Sequence, residues 1–329
     1  MTTPLTAVAW KITNPSQKVN QMNQVVAQSP KETWGSVALV TCTEALGFDY
    51  DMQLLLEAVT AQGLLVDEVS WDDETIDWSS FDLVVIRSTW DYHRRYQQFM
   101  KWVTDVSSVT TLRNSQEVIR WNTDKHYLSE IEKSGLPVVP TAFATSSTDN
   151  WLAELERLIL LGDVVVKPTI SAGSNDTERH SSIESASVHI SSLLSAGRAV
   201  MLQPYLIGIE SEDETGLVFL DGIYSHAFAK GALLASERNM SGGLYAEERI
   251  ASREATSEQL LIGERTINWL TQCFGRLLYA RVDLAPGSAG PTIMEIELTE
   301  PSLYLALHPA AAEQLAKNIS HEMSTDHRL

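Results

Sequence analysis

The chain has 329 residues, 44% of them hydrophobic, and a formal net charge of −19. This length suggests two or three packed units of roughly 100–200 residues each, and the apolar content excludes global disorder. The negative balance disfavours nucleic acid and anionic membrane as partners, so a bound nucleotide would need a local island of cations.

The two cysteines, Cys42 and Cys273, lie in no metal-spaced cluster. That argues against a disulfide framework or a zinc site and fits a cytoplasmic setting. No apolar run reaches bilayer-spanning length, and the first residues lack a basic segment followed by a long apolar stretch. Nothing in the sequence opposes a homodimer.

Residues 1–35 are polar and read as an N-terminal extension or tail. Val8, Trp10 and Ile12 alternate as in a short strand, which leaves a docking segment open. Residues 36–113 carry strand, helix and strand patterns at SVALVTC, MQLLLEAVTAQG, LLVDEVSW and FDLVVIRS, the arrangement of a small parallel sheet. The last of these runs into Arg87-Ser88-Thr89-Trp90-Asp91-Tyr92, where a strand end can meet a ligand, or where a loop packs between domains with Arg87 and Asp91 pairing each other.

Residues 114–202 begin a second unit. A helix is expected over Thr123–Ser134, then a strand at LPVVPT, an amphipathic helix at WLAELERLILLG and a strand at VVVKP. A small-residue loop, a helix over 183–195 and the strand AVMLQPYL follow. Residues 203–329 form the third unit. Asp221-Gly222 signals a hairpin, Thr256 with Gln259 a capping box, and LLYARVDL and TIMEIEL two strands joined by a short connector.

Those two strands carry the most chemistry. Each alternates apolar residues with ionisable ones: Tyr279, Arg281 and Asp283 on one, Glu295 and Glu297 on the other. An antiparallel pairing lets Asp283, Glu295 and Glu297 converge beside Arg281. Two readings stand: a solvated face with an Arg–carboxylate pair, or a Mg2+ site built from hard oxygen donors. Lys167 ends a strand and precedes a loop containing Ser171, Gly173 and Ser174, whose backbone N–H groups can cradle phosphate. Lys125 sits near a helix start. Gln203, Pro204, Tyr205 and Leu206 form a linker able to offer backbone groups to adenine, with Glu210 and Glu214 beyond it as ribose acceptors or an acidic surface loop.

The order of these features resembles the ATP-grasp superfamily, and within it a subgroup similar to cycloserine synthetase and RimK-like ligases. The strings RSTWDY, WNTDK, KPTISAGSNDT, QPYL, SHAFAK, YARVDL and ELTEPSLYL carry the resemblance over residues 36–320. It implies an α/β N-terminal domain followed by two α+β lobes that clamp ATP. It further implies Lys125, Lys167 and the 171–177 loop on the phosphates. Gln203, Tyr205 and Leu206 fall on adenine, and Glu214, or else Glu210, on ribose. Asp283, Glu295 and Glu297 fall on Mg2+, and Arg281 and Lys230 on developing charge. Glu297 stands where D-alanine–D-alanine ligase has an asparagine.

The implied activity joins a carboxylate to an amine or other nitrogen through an acylphosphate. The substrate is a small amino-acid-like molecule, held by Arg87, Ser88, Thr89, Trp90, Asp91 and Tyr92. The alternatives are a peptide-modifying ligase that uses residues 1–35 for docking, and a nucleotide-binding protein without turnover. His226 reads as a packed, hydrogen-bonded histidine.

Overall fold

The computed structural model describes residues 35–232, 234 and 249–326. The strand-like alternation at Val8, Trp10 and Ile12 lies outside them. Among the described residues the strands form three sheets.

The first sheet is parallel. It contains β1 (Ser36–Thr41), β2 (Leu65–Ser70), β3 (Leu83–Ser88) and β4 (Thr111–Arg113) in the order β2-β1-β3-β4, connected through α1 (Met52–Ala61) and α2 (Tyr96–Val109). All six positions of β3 are buried, as expected of a strand covered on both faces. One face, with Ala38, Val40, Val84 and Ile86, packs on Phe99, Trp102 and Val103 of α2.

A helix that was not expected, α3 (Gln116–Asn122), comes first, and the one expected over Thr123–Ser134 starts later, as α4 (Tyr127–Lys133). The break between them has a physical cause. The Lys125 N–H donates to the Thr169 carbonyl at 2.9 Å, and Asp124 Oδ1 accepts from the His126 N–H at 3.2 Å. Both bonds divert the backbone from a helical ladder. LPVVPT is likewise not a ladder strand. Pro137 and Pro140 have no N–H to donate, and the segment instead bonds the chain at Ile293 locally, through Val139 N to Ile293 O at 2.9 Å.

The second sheet is antiparallel. It contains β5 (Ala142–Ala144), β6 (Val164–Pro168), β7 (Glu178–His180) and β8 (Val200–Pro204), ordered β5-β8-β6-β7. Helices α5 (Trp151–Ile159) and α6 (Ile183–Ser195) cover it, burying Leu155, Leu158, Ile190 and Leu193 against Val164, Val166, Val200 and Leu202. A single helical turn, α7 (Ile209–Glu212), leads out of the linker.

The third sheet holds the site. Its strands are β9 (Glu214–Leu220), β10 (Ile223–Lys230), β11 (Ile250–Arg253), β12 (Tyr279–Gly287) and β13 (Gly290–Glu297), ordered β11-β10-β9-β12-β13. The β9–β10 turn uses Asp221 at φ 56° and Gly222 at φ 75°, the left-handed pair that tight hairpins require. Helix α8 (Ser257–Phe274) starts at the expected capping box of Thr256 and Gln259. Helix α9 (Ala311–Asp326) ends the described chain.

This sheet is packed on both sides. Leu217, Phe219, Ala280, Val282 and Ile296 meet α8 and, from α3 and α4, Val118, Tyr127, Leu128 and Ile131. Val218, Leu220, Phe228, Leu278 and Tyr279 share a second core with β1, β3, α1 and α9. Helices α3 and α4 therefore belong to the core of the third sheet, although they precede the second in sequence.

Gly216 of β9 lies opposite both Phe228 and Asp283. A methyl group there would meet the Phe228 ring at 2.2 Å. Gly216→Ala is therefore expected to destabilise the protein by about 1–3 kcal/mol through overpacking. The midpoint of urea unfolding at unchanged slope measures this.

Candidate active site

The pairing of β12 with β13 fixes the centre of the site. Asp283 faces Glu295, and Arg281 faces Glu297. Alternation puts these four side chains on one face. Its Arg281 and Asp283 are not solvated, at 4% and 2% exposed, while the Glu295 and Glu297 side chains are half-buried at its mouth. The Arg–carboxylate pair anticipated from alternation is present, but in the interior. Arg281 Nε and Nη2 donate to the two Asp283 oxygens at 2.8 Å each. Nη2 also reaches Glu297, Nη1 donates to the Ser302 carbonyl at 3.0 Å, and the guanidinium lies over the Phe228 ring.

Cations close around Glu295. Lys125 Nζ lies 3.1 Å from Glu295 Oε1 and donates to the Ser171 carbonyl at 2.8 Å. Lys125 is carried there by the α3–α4 break. Lys167 stands next to the end of β6, and its side chain makes no hydrogen bond or ion pair among the described residues, while Lys230 at the end of β10 lies 3.9 Å from Glu214. The Ser171 hydroxyl bonds Pro168 O at 3.4 Å, and Gly173, Ser174 and Asp176 all take positive φ. Successive turns of that kind can aim N–H groups into a concavity that suits an anion.

The carboxylates respond differently to this field. Burial opposes ionisation of Glu295, but Lys125, Lys167 and Lys230 outweigh it and hold the group down at about 2. Burial pushes Glu297 up to about 7; Arg281 offsets part of this, and the charges of Asp283 and Glu295 add to it. Burial and the Glu297 charge push Glu300 up to about 8. Burial lowers Lys167, helped by repulsion from Lys125 and partly countered by Glu295. Burial alone would lower Lys125 as well, but Glu295 beside it raises it overall.

Several of these contributors escaped the sequence reading. Glu300 falls within a quoted string, three residues beyond Glu297, and its E-x-E-x-x-E spacing was the available signal. Asn122 and Tyr127 gave none, since their role is to hold β13. Asn122 bonds Ile296 O and Leu298 N, both at 2.7 Å, and Tyr127 Oη bonds both Ile296 N and O at 3.0 Å.

On the nucleotide-linker side, Gln203 is buried and donates to Thr141 Oγ1 at 2.9 Å. Tyr205 N bonds Asp163 O at 2.7 Å, and Leu206 O accepts from Ile209 N at 3.1 Å. Glu210 accepts from Arg179 Nη1 at 2.8 Å and from Tyr205 Oη at 3.0 Å. Glu214 is buried at the start of β9, near Lys230.

The RSTWDY segment is almost wholly interior. Arg87 is fully buried and donates to Pro301 O at 3.0 Å, with Asp51 3.9 Å away. Asp51 in turn accepts from Leu303 N and Leu305 N. Arg87 and Asp91 do not pair with each other. Asp91 is instead taken by Trp71 Nε1 and Arg95. Ser88 Oγ bonds Thr41, and Thr89 is buried. Trp90 Nε1 donates to Glu300 O at 3.1 Å, and Tyr92 Oη to Ser171 O at 3.5 Å. His226 is packed as expected, with Nε2 2.8 Å from Leu303 O and Nδ1 2.9 Å from Ser225 Oγ.

A parallel sheet followed by two antiparallel sheets, with Lys167 of one facing the carboxylates of the other, is the ATP-grasp architecture. Known proteins agree. A family model for the N-terminal domain of D-cycloserine synthetase DcsG matches residues 37–114. The cycloserine biosynthesis protein DcsG of Streptomyces lavendulae is 35% identical over 298 residues, covering 88% of this chain and 99% of that protein. The crystal structure of D-cycloserine synthetase DcsG superposes with a TM-score of 0.80 at 35% identity, covering 88% of this chain and all of that one. D-alanine–D-alanine ligase from Bacillus anthracis complexed with ATP shares the fold at a TM-score of 0.64 and 14% identity, covering 89% of this chain and 99% of that one. The chain is an ATP-grasp ligase and belongs to the DcsG family. Among the described residues no helix is long and apolar enough to cross a membrane.

Glu300 supplies a test of the electrostatics. Its folded value lies above its unfolded one, so the folded state retains a proton that the unfolded state has lost. Stability from this group is present below the unfolded value near 4.5 and is lost as pH rises through about 8. Glu300→Gln is expected to gain stability over the parent as pH rises from 5 to 9. Urea unfolding in metal-free buffer, compared at both ends, checks the sign.

Proposed function

We propose that this enzyme uses ATP and Mg2+ to join a carboxylate to a nitrogen within one small amino-acid-like molecule, closing a ring. The observation that carries the reading is the opposed register of Asp283 with Glu295 and Arg281 with Glu297, ringed by Lys125, Lys167 and Lys230. The relative of known name supplies the product class. Cycloserine is a five-membered cyclic hydroxamate, so its ring contains a bond between a carboxyl carbon and an aminooxy nitrogen. An amino acid with a side-chain aminooxy group has both partners in one molecule.

Each role follows from position. Lys125, Lys167 and the backbone of Ser171, Gly173 and Ser174 would hold the phosphates. Gln203, Tyr205 and Leu206 would border adenine. Glu214 is the better ribose acceptor, since Glu210 is already shared by Arg179 and Tyr205.

Asp283, Glu295 and Glu297 offer the hard oxygen donors that Mg2+ prefers, and each carboxylate oxygen keeps a lone pair beyond its present bond. The ion would neutralise phosphate charge there. Arg281 and Lys230 stabilise negative charge as the substrate carboxylate is activated by phosphorylation and then attacked by nitrogen. Trp90 and Tyr92 touch the Glu300 and Ser171 backbones and would wall the substrate. Arg87, Ser88, Thr89 and Asp91 support that wall from behind, Arg87 through the Pro301 carbonyl. The need for ATP fits a cytoplasmic enzyme.

Glu295→Gln and Asp283→Asn are each expected to lower Mg2+-dependent release of ADP and phosphate by about 100-fold or more, the scale seen when a charge-stabilising group is lost. The circular-dichroism spectrum should be retained. A phosphate-release assay on O-amino-serine, with no second amine added, tests both the assignment and the ring closure. Full activity in either variant removes the metal assignment, and turnover only with an added amine removes the intramolecular reaction.

A further inference from the structure

A second cluster of donor atoms lies at the β7 edge of the second sheet, the strand that follows the 171–177 loop. Glu178 and His180 stand two apart on β7, so alternation puts them on one face of that edge strand. His189 comes from α6, which packs against the same sheet. His180 Nε2 faces His189 Nδ1 at 3.1 Å. Glu178 Oε2 lies 3.7 Å from the first and 3.8 Å from the second. All three donor atoms fall within 4.8 Å of one another.

We propose that Glu178, His180 and His189 form a site for a borderline divalent transition cation of the Zn2+ class. Two imidazoles and one carboxylate, with a water completing a tetrahedron, is a donor set such ions accept. Bond lengths of about 2.0–2.1 Å to nitrogen imply donor separations of roughly 3.3 Å in a tetrahedron. The three observed separations bracket that value, so small side-chain movements bring the donors into register.

The surroundings favour the arrangement. The Ser185 hydroxyl donates to Ser182 O and accepts from Ser182 Oγ, leaving one lone pair to accept from His180 Nδ1, 3.2 Å away. That bond sets the proton on Nδ1 and leaves the Nε2 lone pair pointing at the cluster, the orientation a second neighbour commonly enforces on a ligating histidine. Both histidines are largely buried, with side chains 7% and 10% exposed, while Glu178 is open at 54% and gives the ion a route in. The oxygen donor is single, so Mg2+ and Ca2+ are poor candidates, and the absence of thiolates disfavours soft ions.

The position gives the site a consequence. β7 follows directly on the 171–177 loop, and its middle residue, Arg179, lies on the opposite face over the Tyr205 ring at 3.7 Å. A cation joining β7 to α6 therefore braces the strand that carries the phosphate loop on one end and the linker tyrosine on one face. The bare alternative is a histidine–histidine hydrogen bond beside an exposed glutamate.

The test uses the untagged full-length chain, stripped of metal and held in excess Mg2+ so that the oxygen-rich site is filled. Co2+ is titrated as a spectroscopic stand-in, with Zn2+ in competition. The expected result is one Co2+ per chain with the visible bands of a tetrahedral N/O site, displaced by Zn2+, together with a rise in melting temperature. Glu178→Gln, an exposed change that leaves folding intact, and His189→Gln should each weaken Co2+ binding at least tenfold. Ser185→Ala should weaken it about 10–100-fold, as loss of an orienting partner does elsewhere. Absence of tetrahedral bands at saturation, or binding equally tight in Glu178→Gln and His189→Gln, overturns the site.

Discussion

The charge pairing across β12 and β13 is the constraint that organises this molecule. Arg281 is buried, so its charge must be matched where it stands. Asp283, on the same strand, takes both of its forward N–H groups, and Glu297 takes another from directly across the ladder. The surplus of negative charge then requires the lysines around Glu295. A one-residue slip of β13 would put Glu295 and Glu297 on the opposite face, among Leu217, Phe219 and Val282, where no cation is available.

Much of the remaining structure keeps that register. Tyr127 bonds both backbone groups of Ile296, and Asn122 bonds Ile296 O and Leu298 N, so α3 and α4 clamp β13 by its own hydrogen-bonding edge. The bonds of Asp51 and Arg87 to residues 301–305 anchor the chain that leaves β13. The N-terminal sheet therefore has a mechanical part in the site. It orders the segment behind Glu300 and Ser302 with buried polar groups that no solvent could replace.

The carboxylates are held in unequal states by one field. Glu295 is ionised because lysines surround it, whereas Glu297 and Glu300 resist ionisation because burial and neighbouring negative charge act together. Such a cluster has a large capacity to accept positive charge. That is the physical property expected of a place where a metal and polyphosphate come and go. Lys167, lowered by burial, complements it from the second sheet.

The sequence by itself determined strands β1, β2, β3, β6, β8, β12 and β13 and helices α1, α5, α6 and α8, the hairpin at Asp221-Gly222, the capping box at Thr256 and the ionisable faces of β12 and β13. Those features depend on residue type and local period, which a linear pattern records. It also gave the family, because the strings from RSTWDY to ELTEPSLYL occur in the ATP-grasp order. Tertiary structure alone decided the rest. The α3–α4 break depends on Thr169, 44 residues from Lys125, and the buried state of the Arg281 face depends on strands from distant parts of the chain. The partners of Arg87 and Asp91, the part played by Glu300, and the meeting of His180 with His189 are likewise contacts between elements. A pattern of types along one chain carries no distance between its folded segments, and charge, burial and ligation are all properties of that distance.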